Sequence, residues 1–188
     1  MVKKGLILVI MGGISLLISG VMVAYNNYIN NEAAKESKKV YEKLQNINKE
    51  EVIALATDEV KTVNIDGDNY IGTISIPLLN LQLPIIADWD YKKMKKSPCR
   101  YYGSIATDDL VICAHSYDNL FGRIKNLNHG DLLILTDINK KEYIYKVEVI
   151  EILAPTDVKK MVESEFDLTL YTCTIDGANR VTVRLNRV

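Results

Sequence analysis

The sequence lacks an excess of charge of either sign. Its 188 residues carry 23 lysines and arginines against 24 aspartates and glutamates, a formal net charge of −1. A nucleic-acid-binding domain is expected to present a basic face, so the composition gives no electrostatic argument for that class. The chain also lacks a glycine-rich phosphate loop, internal repeats and low-complexity segments. Apolar residues make up 48% of it, which is enough for one packed domain with appendages.

Charge is missing altogether from residues 5–24, which read GLILVIMGGISLLISGVMVA. Twenty uncharged residues are enough to cross a bilayer as a helix. Lys3 and Lys4 precede this run and no basic cluster follows it, so the positive-inside rule places residues 25–188 outside the cell. We therefore predict that residues 1–24 form a cytoplasmic tip and a single-pass anchor in the cell membrane. A cleaved signal peptide is the alternative.

Cysteine and histidine are scarce, with three and two residues respectively. An odd number of cysteines on the oxidising side of a membrane leaves at least one thiol unpaired within the chain. Cys113 lies in the apolar run DLVICAHS, which indicates a core position, and Cys99 follows a proline in KKSPCRYYG. A Cys99–Cys113 disulfide stays open at this point. An unpaired thiol in that environment indicates either a buried position or a catalytic role.

Residues 25–66 are polar and rich in Asn, Lys and Glu. Within them Val40, Leu44 and Ile47 are spaced by four and three residues, which places them on one face of a helix. The segment is predicted to form an extracellular helical stalk or an arm packed on the following domain, with a solvated spacer as the alternative. The sequence NIDGDN, residues 64–69, then indicates a turn and does not have the spacing of a calcium-binding loop.

The remainder, residues 67–188, has the pattern of short strands separated by turn residues. DLLILTD and KEYIYKVEVIEIL predict one hairpin, and LTLYTC and RVTVRLN predict a second across TIDGA. Closely spaced strands of this kind indicate a mainly β sandwich or barrel. Residues 88–97 and 157–165 are predicted short helices. Alternation along the first hairpin's second strand places four residues on one face: Tyr143, Tyr145, Val147 and Val149.

The second hairpin carries the candidate chemistry. Asp176-Gly177 is a turn signal, with Cys173 just before the turn and Arg180 just after it. A nearby cation favours the nucleophilic thiolate, and a guanidinium can hold a carbonyl oxygen as charge develops there in acyl transfer. His115 ends the strand LVICAH where a loop begins, which makes it the candidate acid/base partner. His129, in NLNHGD, is predicted to be solvated in a surface turn.

Residues 169–173, TLYTC, match the TLxTC motif of the sortases, the cysteine transpeptidases of Gram-positive cell surfaces. The order of features also matches: an anchor, a β-domain, a histidine in AHS, the motif, and an arginine on the next strand. The chain therefore resembles the sortase family over residues 70–188. The resemblance implies a closed eight-stranded β-barrel with short helices, preceded by a transmembrane helix and a helical stalk.

The resemblance also implies roles for three residues. Cys173 would attack the Thr–Gly carbonyl of an LPxTG-like sorting signal at the C-terminus of a surface protein. His115 would protonate the leaving amine, and Arg180 would bind the substrate and stabilise the oxyanion. An amine of a peptidoglycan precursor or a pilin lysine would then resolve the thioacyl enzyme, without a cofactor.

Neighbouring residues are further candidates. Arg184 shares a strand face with Arg180 but lies farther from the turn, so Arg180 is preferred. Thr172 is equally well explained as a β-branched strand residue, and the apolar residues of 154–167 as core. Five residues are predicted to line the substrate site: Ala114, Ser116, Thr172, Val158 and Met161.

Within the family, the short connection APTDVKKMVESEFD and the compact second hairpin favour class D, with a class A-like role second. The chain ends at Val188 without a second hydrophobic span, which departs from the pilin-polymerising class C. Two other functions remain as alternatives. One is an extracellular cysteine peptidase that releases its product to water, and the other is a membrane-anchored β-domain that binds without catalysis. Amine-dependent products would exclude the first, and an inert Cys173 would indicate the second.

Overall fold

The computed structural model describes residues 2–47 and 60–188, with side chains from residue 5 onward. A long helix, α1 (Val2–Asn46), leads into a β-domain. The N-terminal part of α1 is long and apolar enough to cross a membrane. Residues 48–59, part of the predicted arm, lie outside the described residues.

The β-domain is a closed barrel. Eight strands pair in the order β2-β3-β4-β5-β8-β9-β7-β6, and β6 pairs with β2 to complete the ring, while β1 pairs with β2 alone. The closed eight-stranded barrel implied by the resemblance is confirmed. The strands of the described chain are β1 (Val63–Ile65), β2 (Asp68–Ile76), β3 (Leu81–Ile86), β4 (Cys99–Tyr102), β5 (Leu110–Cys113), β6 (Leu132–Asp137), β7 (Glu142–Leu153), β8 (Leu168–Cys173) and β9 (Arg180–Arg187).

The pairing of β5 with β8 decides where the candidate site forms. These two strands run parallel, with Leu110 beside Leu168 and Cys113 beside Tyr171. Parallel neighbours end at the same edge of a sheet, so the loop that follows β5 and the turn that follows β8 emerge at one end of the barrel. Strand β9 then returns antiparallel along β8.

Alternate side chains of each strand fill the barrel. Leu168 and Leu170 of β8 are fully buried in the main core, together with Ile112 of β5 and Val183 of β9. Because successive side chains of a strand point to opposite faces, Cys173 lies on the outer face. The barrel interior is therefore apolar packing, and the candidate chemistry lies on its outer wall.

The alternation predicted for β7 holds only for part of the strand. Tyr145 and Val147 are buried, but Val149 is 42% exposed. The register with β9 shifts between Val147 and Val149, which is a β-bulge, and Ile150 packs against the core instead. The prediction that Val149 shares the face of Val147 is wrong because the extra residue of a bulge reverses the alternation.

Two short helices fall inside the segments predicted to be helical. Residues 88–97 contain a single 3₁₀ turn, Lys93–Lys95. Residues 157–165 contain α2 (Val158–Val162). Both are shorter than predicted, and α2 is the whole helical content of the connection between β7 and β8.

Helix α1 packs against the barrel with its C-terminal half. Leu44 is buried, and Val40 and Ile47 pack against the same apolar cluster, which includes Ile65 and Ile86. The stripe identified in the sequence is therefore the docking face of an arm, and the described part of this segment is not a solvated spacer.

Candidate active site

The three candidate residues lie at one end of the barrel wall, because His115 follows β5 by two residues, Cys173 ends β8 and Arg180 begins β9. Cys173, the last residue of β8, is the direct partner of Arg180, the first residue of β9. On the other side of β8, Cys113 pairs with Tyr171, and the pairing continues because the Ala114 N–H donates to the Tyr171 carbonyl at 3.3 Å. Continued by two residues beyond β5, this register aligns His115 with Cys173. We call His115, Cys173 and Arg180, in this order, the row.

The turn Thr174–Asn179 holds the Cys173–Arg180 end of the row. The Thr174 N–H donates to the Asn179 carbonyl at 2.9 Å, and the Asn179 N–H donates to Thr174 Oγ1 at 3.0 Å. Gly177 has φ +73°, and its N–H donates to the Thr174 carbonyl at 2.8 Å. Glycine suits this position because the left-handed region strains a residue with a Cβ.

Arg180 and Arg184 have different environments. Arg180 Nη1 donates to the turn carbonyls of Gly177 and Asn179, at 3.3 and 3.1 Å, and its side chain borders a groove. Arg184 is 2% exposed, and its Nε donates to Glu151 Oε1 at 2.8 Å. Arg184 also donates to the side chain of Thr169 and to two carbonyls of α2. Arg184 is fully engaged in holding α2 to the barrel wall.

His115 is half-buried beside the 3₁₀ turn. Its backbone N–H donates to the Met94 carbonyl at 3.0 Å, and its ring packs edge-to-face with Tyr117 at a centroid distance of 4.1 Å. Burial lowers the pKa of His115, and the nearby Lys95 charge lowers it further. A lowered pKa favours the neutral imidazole, which is the form that can accept a proton from a thiol.

The three cysteines separate by burial. Cys99 and Cys113 are direct partners across β4 and β5, both are fully buried, and both are free thiols. Burial raises the pKa of each to about 12, so neither is a nucleophile. Cys173 is partly exposed. The sequence left open whether Cys99 and Cys113 form a disulfide. In the structure both are unpaired thiols.

A groove of about 260 Å³ adjoins the row at Arg180. Aromatic rings form one wall: Trp89 meets Tyr101 edge-on at 6.4 Å between centroids, and Tyr101 meets Tyr171 at 5.5 Å. The predicted substrate residues Val158 and Met161 of α2 are also at this groove. Val158 is 48% exposed, whereas Met161 is buried.

The other predicted substrate residues lie below or beside the row. Thr172 is buried, and its hydroxyl donates to the Ala114 carbonyl at 2.8 Å, which joins β8 to the chain leaving β5. The Ala114 side chain points into the barrel core. Ser116 is partly exposed in the loop after His115.

Some residues of the site were missed by sequence reasoning. Tyr171 stands two residues before Cys173 on the same strand face, so strand alternation alone was a sufficient signal for it. Trp89 and Tyr101 reach the groove through tertiary packing, and no local pattern indicates that. His129 lies outside the row, exposed, with Nδ1 at 3.1 Å from the Glu148 carbonyl, as its predicted surface position requires.

The closed barrel and the pairing of Cys173 with Arg180 at its edge match the arrangement that the TLYTC resemblance implies. A family model described as the sortase domain matches residues 74–188, more than half of the chain. The chain belongs to the sortase family.

Relatives of two kinds are similar to this chain. Sortase A of Bacillus anthracis is 29% identical over 122 residues, which are 61% of this chain and 57% of that relative. The chain thus spans little more than half the length of this relative. Sortase C of Clostridium perfringens, solved with the C-terminal cell wall sorting motif, is 25% identical with a TM-score of 0.62 over 82% of this chain and 98% of its own. Sortase C1 of Streptococcus agalactiae is 25% identical with a TM-score of 0.60 over 86% and 89%.

Proposed function

We propose that the protein is a membrane-anchored cysteine transpeptidase. It cleaves an LPxTG-like sorting signal between Thr and Gly and transfers the new C-terminus to an amine. The observation that carries this proposal is the strand register, which pairs the partly exposed Cys173 with Arg180 on one side and aligns it with His115 on the other. Membership of the sortase family supports the same reaction.

The geometry supports a two-step acyl transfer. The neutral His115 accepts the thiol proton as Cys173 sulfur attacks the carbonyl carbon, and Arg180 donates hydrogen bonds to the developing oxyanion. The imidazolium then returns the proton to the leaving amine, the C–N bond breaks, and a thioester remains on Cys173. In the second step His115 removes a proton from the incoming amine as the amine nitrogen attacks the thioester carbonyl. The C–S bond then breaks, a new amide bond remains, and the imidazolium returns the proton to the Cys173 sulfur.

The groove beside Arg180 is the proposed binding site for the sorting signal. Its aromatic wall of Trp89, Tyr101 and Tyr171 offers apolar surface, and Val158 at the rim of α2 faces it across the opening. Ligand sites are commonly apolar clefts with a few convergent polar groups, and Arg180 supplies one at the end nearest Cys173. Ala114, Thr172 and Ser116 are proposed to position the row through the backbone and the Thr172 hydroxyl.

The anchor and the subclass are also proposals. The apolar part of α1 is proposed to span the cell membrane once, with the barrel on the outer side. The acceptor is proposed to be an amine of a peptidoglycan precursor or of a pilin. The connection between β7 and β8 contains only the five-residue α2, and this compact wall supports the class D assignment.

The test uses the full chain in detergent micelles and a peptide panel that varies each position of LPxTG. Products are followed by mass spectrometry with and without triglycine. The expected result is cleavage between Thr and Gly, a triglycine adduct only when the amine is present, and neither in Cys173→Ala. Cleavage that never yields the amine adduct would instead establish a cysteine peptidase.

Two further outcomes would contradict the proposal. If the panel gives no product and a thiol reagent leaves Cys173 unmodified, the domain binds without catalysis. If Cys173 is reactive and the panel still gives no product, the substrate is not LPxTG-like.

A further inference from the structure

Helix α1 passes from its apolar segment to the barrel without interruption. The uncharged run ends at Ala24, and the helix continues to Asn46. The first hydrogen bond to the barrel comes at Asn30, whose carbonyl accepts from Asn119 Nδ2 at 2.7 Å, and Ala33 one turn later is buried. Six residues of helix separate Ala24 from Asn30, which is about 9 Å at the helical rise.

That length is comparable with the thickness of a lipid headgroup layer. A bilayer has a hydrocarbon core of about 30 Å and a total thickness of about 40–45 Å, so each headgroup layer is about 5–8 Å thick. With residues 5–24 in the hydrocarbon core, the barrel begins at the outer edge of the headgroups. Because α1 is continuous, it has no hinge that would let the barrel move away from the bilayer.

The contacts of α1 identify which end of the barrel faces the membrane. Asn119 belongs to the loop that follows His115. Farther along the helix, Lys43 pairs with Asp66 in the turn between β1 and β2, and Lys140 in the turn between β6 and β7 donates to the Leu44 carbonyl. The His115 loop is therefore at the end of the barrel nearer the membrane, here called the near end. The β6–β7 turn is at the opposite end, here called the far end.

A second near-end segment is the turn between β2 and β3. Arg123 joins it to the His115 loop, because Nη2 donates to the Leu79 carbonyl at 2.7 Å and Nε donates to the Asp118 carbonyl at 2.8 Å. The neighbouring Leu78 is 59% exposed, although Leu79 beside it is buried. A single exposed leucine is common on protein surfaces. Leu78 is informative because it lies at the near end of the barrel.

We infer that the near end of the barrel rests on the outer headgroup layer of the bilayer that holds α1, with Leu78 in contact with lipid. This inference depends on the membrane anchor of the proposed function. Tyr25 and Tyr28, both exposed on α1 directly after the apolar run, lie where aromatic side chains favour the membrane interface. The catalytic row then opens close to the lipid surface, where it meets substrates presented at the membrane.

The test measures the depth of single fluorescent labels in the full chain. Three variants are made in a Cys173→Ala background, which removes the reactive thiol, while the buried Cys99 and Cys113 do not react. They are Leu78→Cys, Leu16→Cys within the span, and Lys141→Cys at the far end. Each carries an environment-sensitive dye and is reconstituted into phosphatidylcholine–phosphatidylglycerol vesicles with spin-labelled lipids.

The expected result is a graded set of depths. The label at residue 16 is quenched most by a nitroxide deep in the acyl chains, the label at residue 78 by a nitroxide at the headgroup, and the label at residue 141 by neither. If residue 16 is quenched but residue 78 behaves as residue 141 does, the barrel stands clear of the lipid, or its near end serves a protein partner, and the inference fails while the anchor holds. If residue 16 is not quenched, the anchor fails as well.

Discussion

At the scale of single residues, burial separates chemically identical side chains into different roles. Cys99 and Cys113 are fully buried, whereas Cys173 at the end of β8 is partly exposed. His115, at the same end of the barrel, has its pKa lowered by burial and by Lys95, whereas His129 is exposed. The position of Cys173 at the end of a strand was predictable from the sequence, because the turn signal Asp176-Gly177 follows it. The burial of these side chains depends on side chains from distant strands, which no local pattern reports.

Thiol reactivity is predicted to follow burial. In the native chain, a thiol reagent at neutral pH is expected to modify Cys173 and to leave Cys99 and Cys113 unmodified, because burial raises the pKa of both to about 12. Peptide mapping by mass spectrometry checks this, and all three cysteines should react after denaturation. Native modification of Cys113 in preference to Cys173 would show that the barrel wall is not packed as described.

The pKa of His115 is predicted to rise when Lys95 is replaced by Gln. The Lys95 charge opposes the imidazolium, so its removal favours the protonated ring and moves the midpoint upward, toward the ordinary value. NMR titration of the imidazole carbon checks this, and His129 serves as an internal reference because the chain has two histidines. Lys92→Gln is the matched control and should leave the His115 midpoint unchanged. A downward shift in Lys95→Gln would contradict the electrostatic account.

At the scale of secondary-structure elements, strand pairing separates the two candidate arginines. Arg180 and Arg184 share one face of β9, and spacing alone cannot separate them. Pairing with β8 places Arg180 opposite Cys173 and Arg184 opposite Thr169. Helix α2 then covers Arg184, which donates to the carbonyls of Lys160 and Met161. The sequence preference for Arg180 depended on its distance from the turn, and the cover over Arg184 became visible only in the packed structure.

Substitution of the two arginines is therefore predicted to have different effects. Arg184→Ala is expected to lower the free energy of unfolding by about 2–3 kcal/mol, because it leaves Glu151 and the α2 carbonyls without their buried donor. Arg180→Ala is expected to leave stability within about 0.5 kcal/mol of the parent and to abolish peptide cleavage, because its side chain is partly exposed and its acceptors are carbonyls of a surface turn.

Denaturant unfolding and the peptide assay, run side by side, check this pair. A stable Arg184→Ala combined with full activity in Arg180→Ala would reverse the assignment of the two residues.

At the scale of the whole molecule, the fold was more predictable than the site. Short strands with turn signals between residues 67 and 188 predicted a β-domain, and the TLYTC resemblance predicted its closure. The groove was less predictable because Trp89, Tyr101 and α2 come together only when β4, β8 and β7 close the wall. The prediction for the side chain of Val149 was wrong because a β-bulge cannot be recognised from the alternation of apolar residues.

The docking of α1 is a whole-molecule feature that stability measurements can test. Leu44 is 5% exposed in a cluster with residues of β1, β2 and β3, and its truncation removes part of that contact. Leu44→Ala is expected to lower the free energy of unfolding by about 2–4 kcal/mol and to increase hydrogen exchange in the second half of α1. Lys38→Ala, at an exposed position on the same helix, is the control. Equal stability of the two variants would mean that the arm does not dock.

The most direct test of the central claim is detection of the covalent intermediate. The full chain is mixed with an LPxTG-type peptide, quenched in acid and measured by intact-protein and peptide mass spectrometry. The account predicts a mass increase equal to the acyl part of the peptide on the fragment that contains Cys173. This increase should be reversible by hydroxylamine, present in Cys99→Ala and absent in Cys173→Ala. An adduct on another residue, or cleavage that persists in Cys173→Ala, would contradict acyl transfer through Cys173.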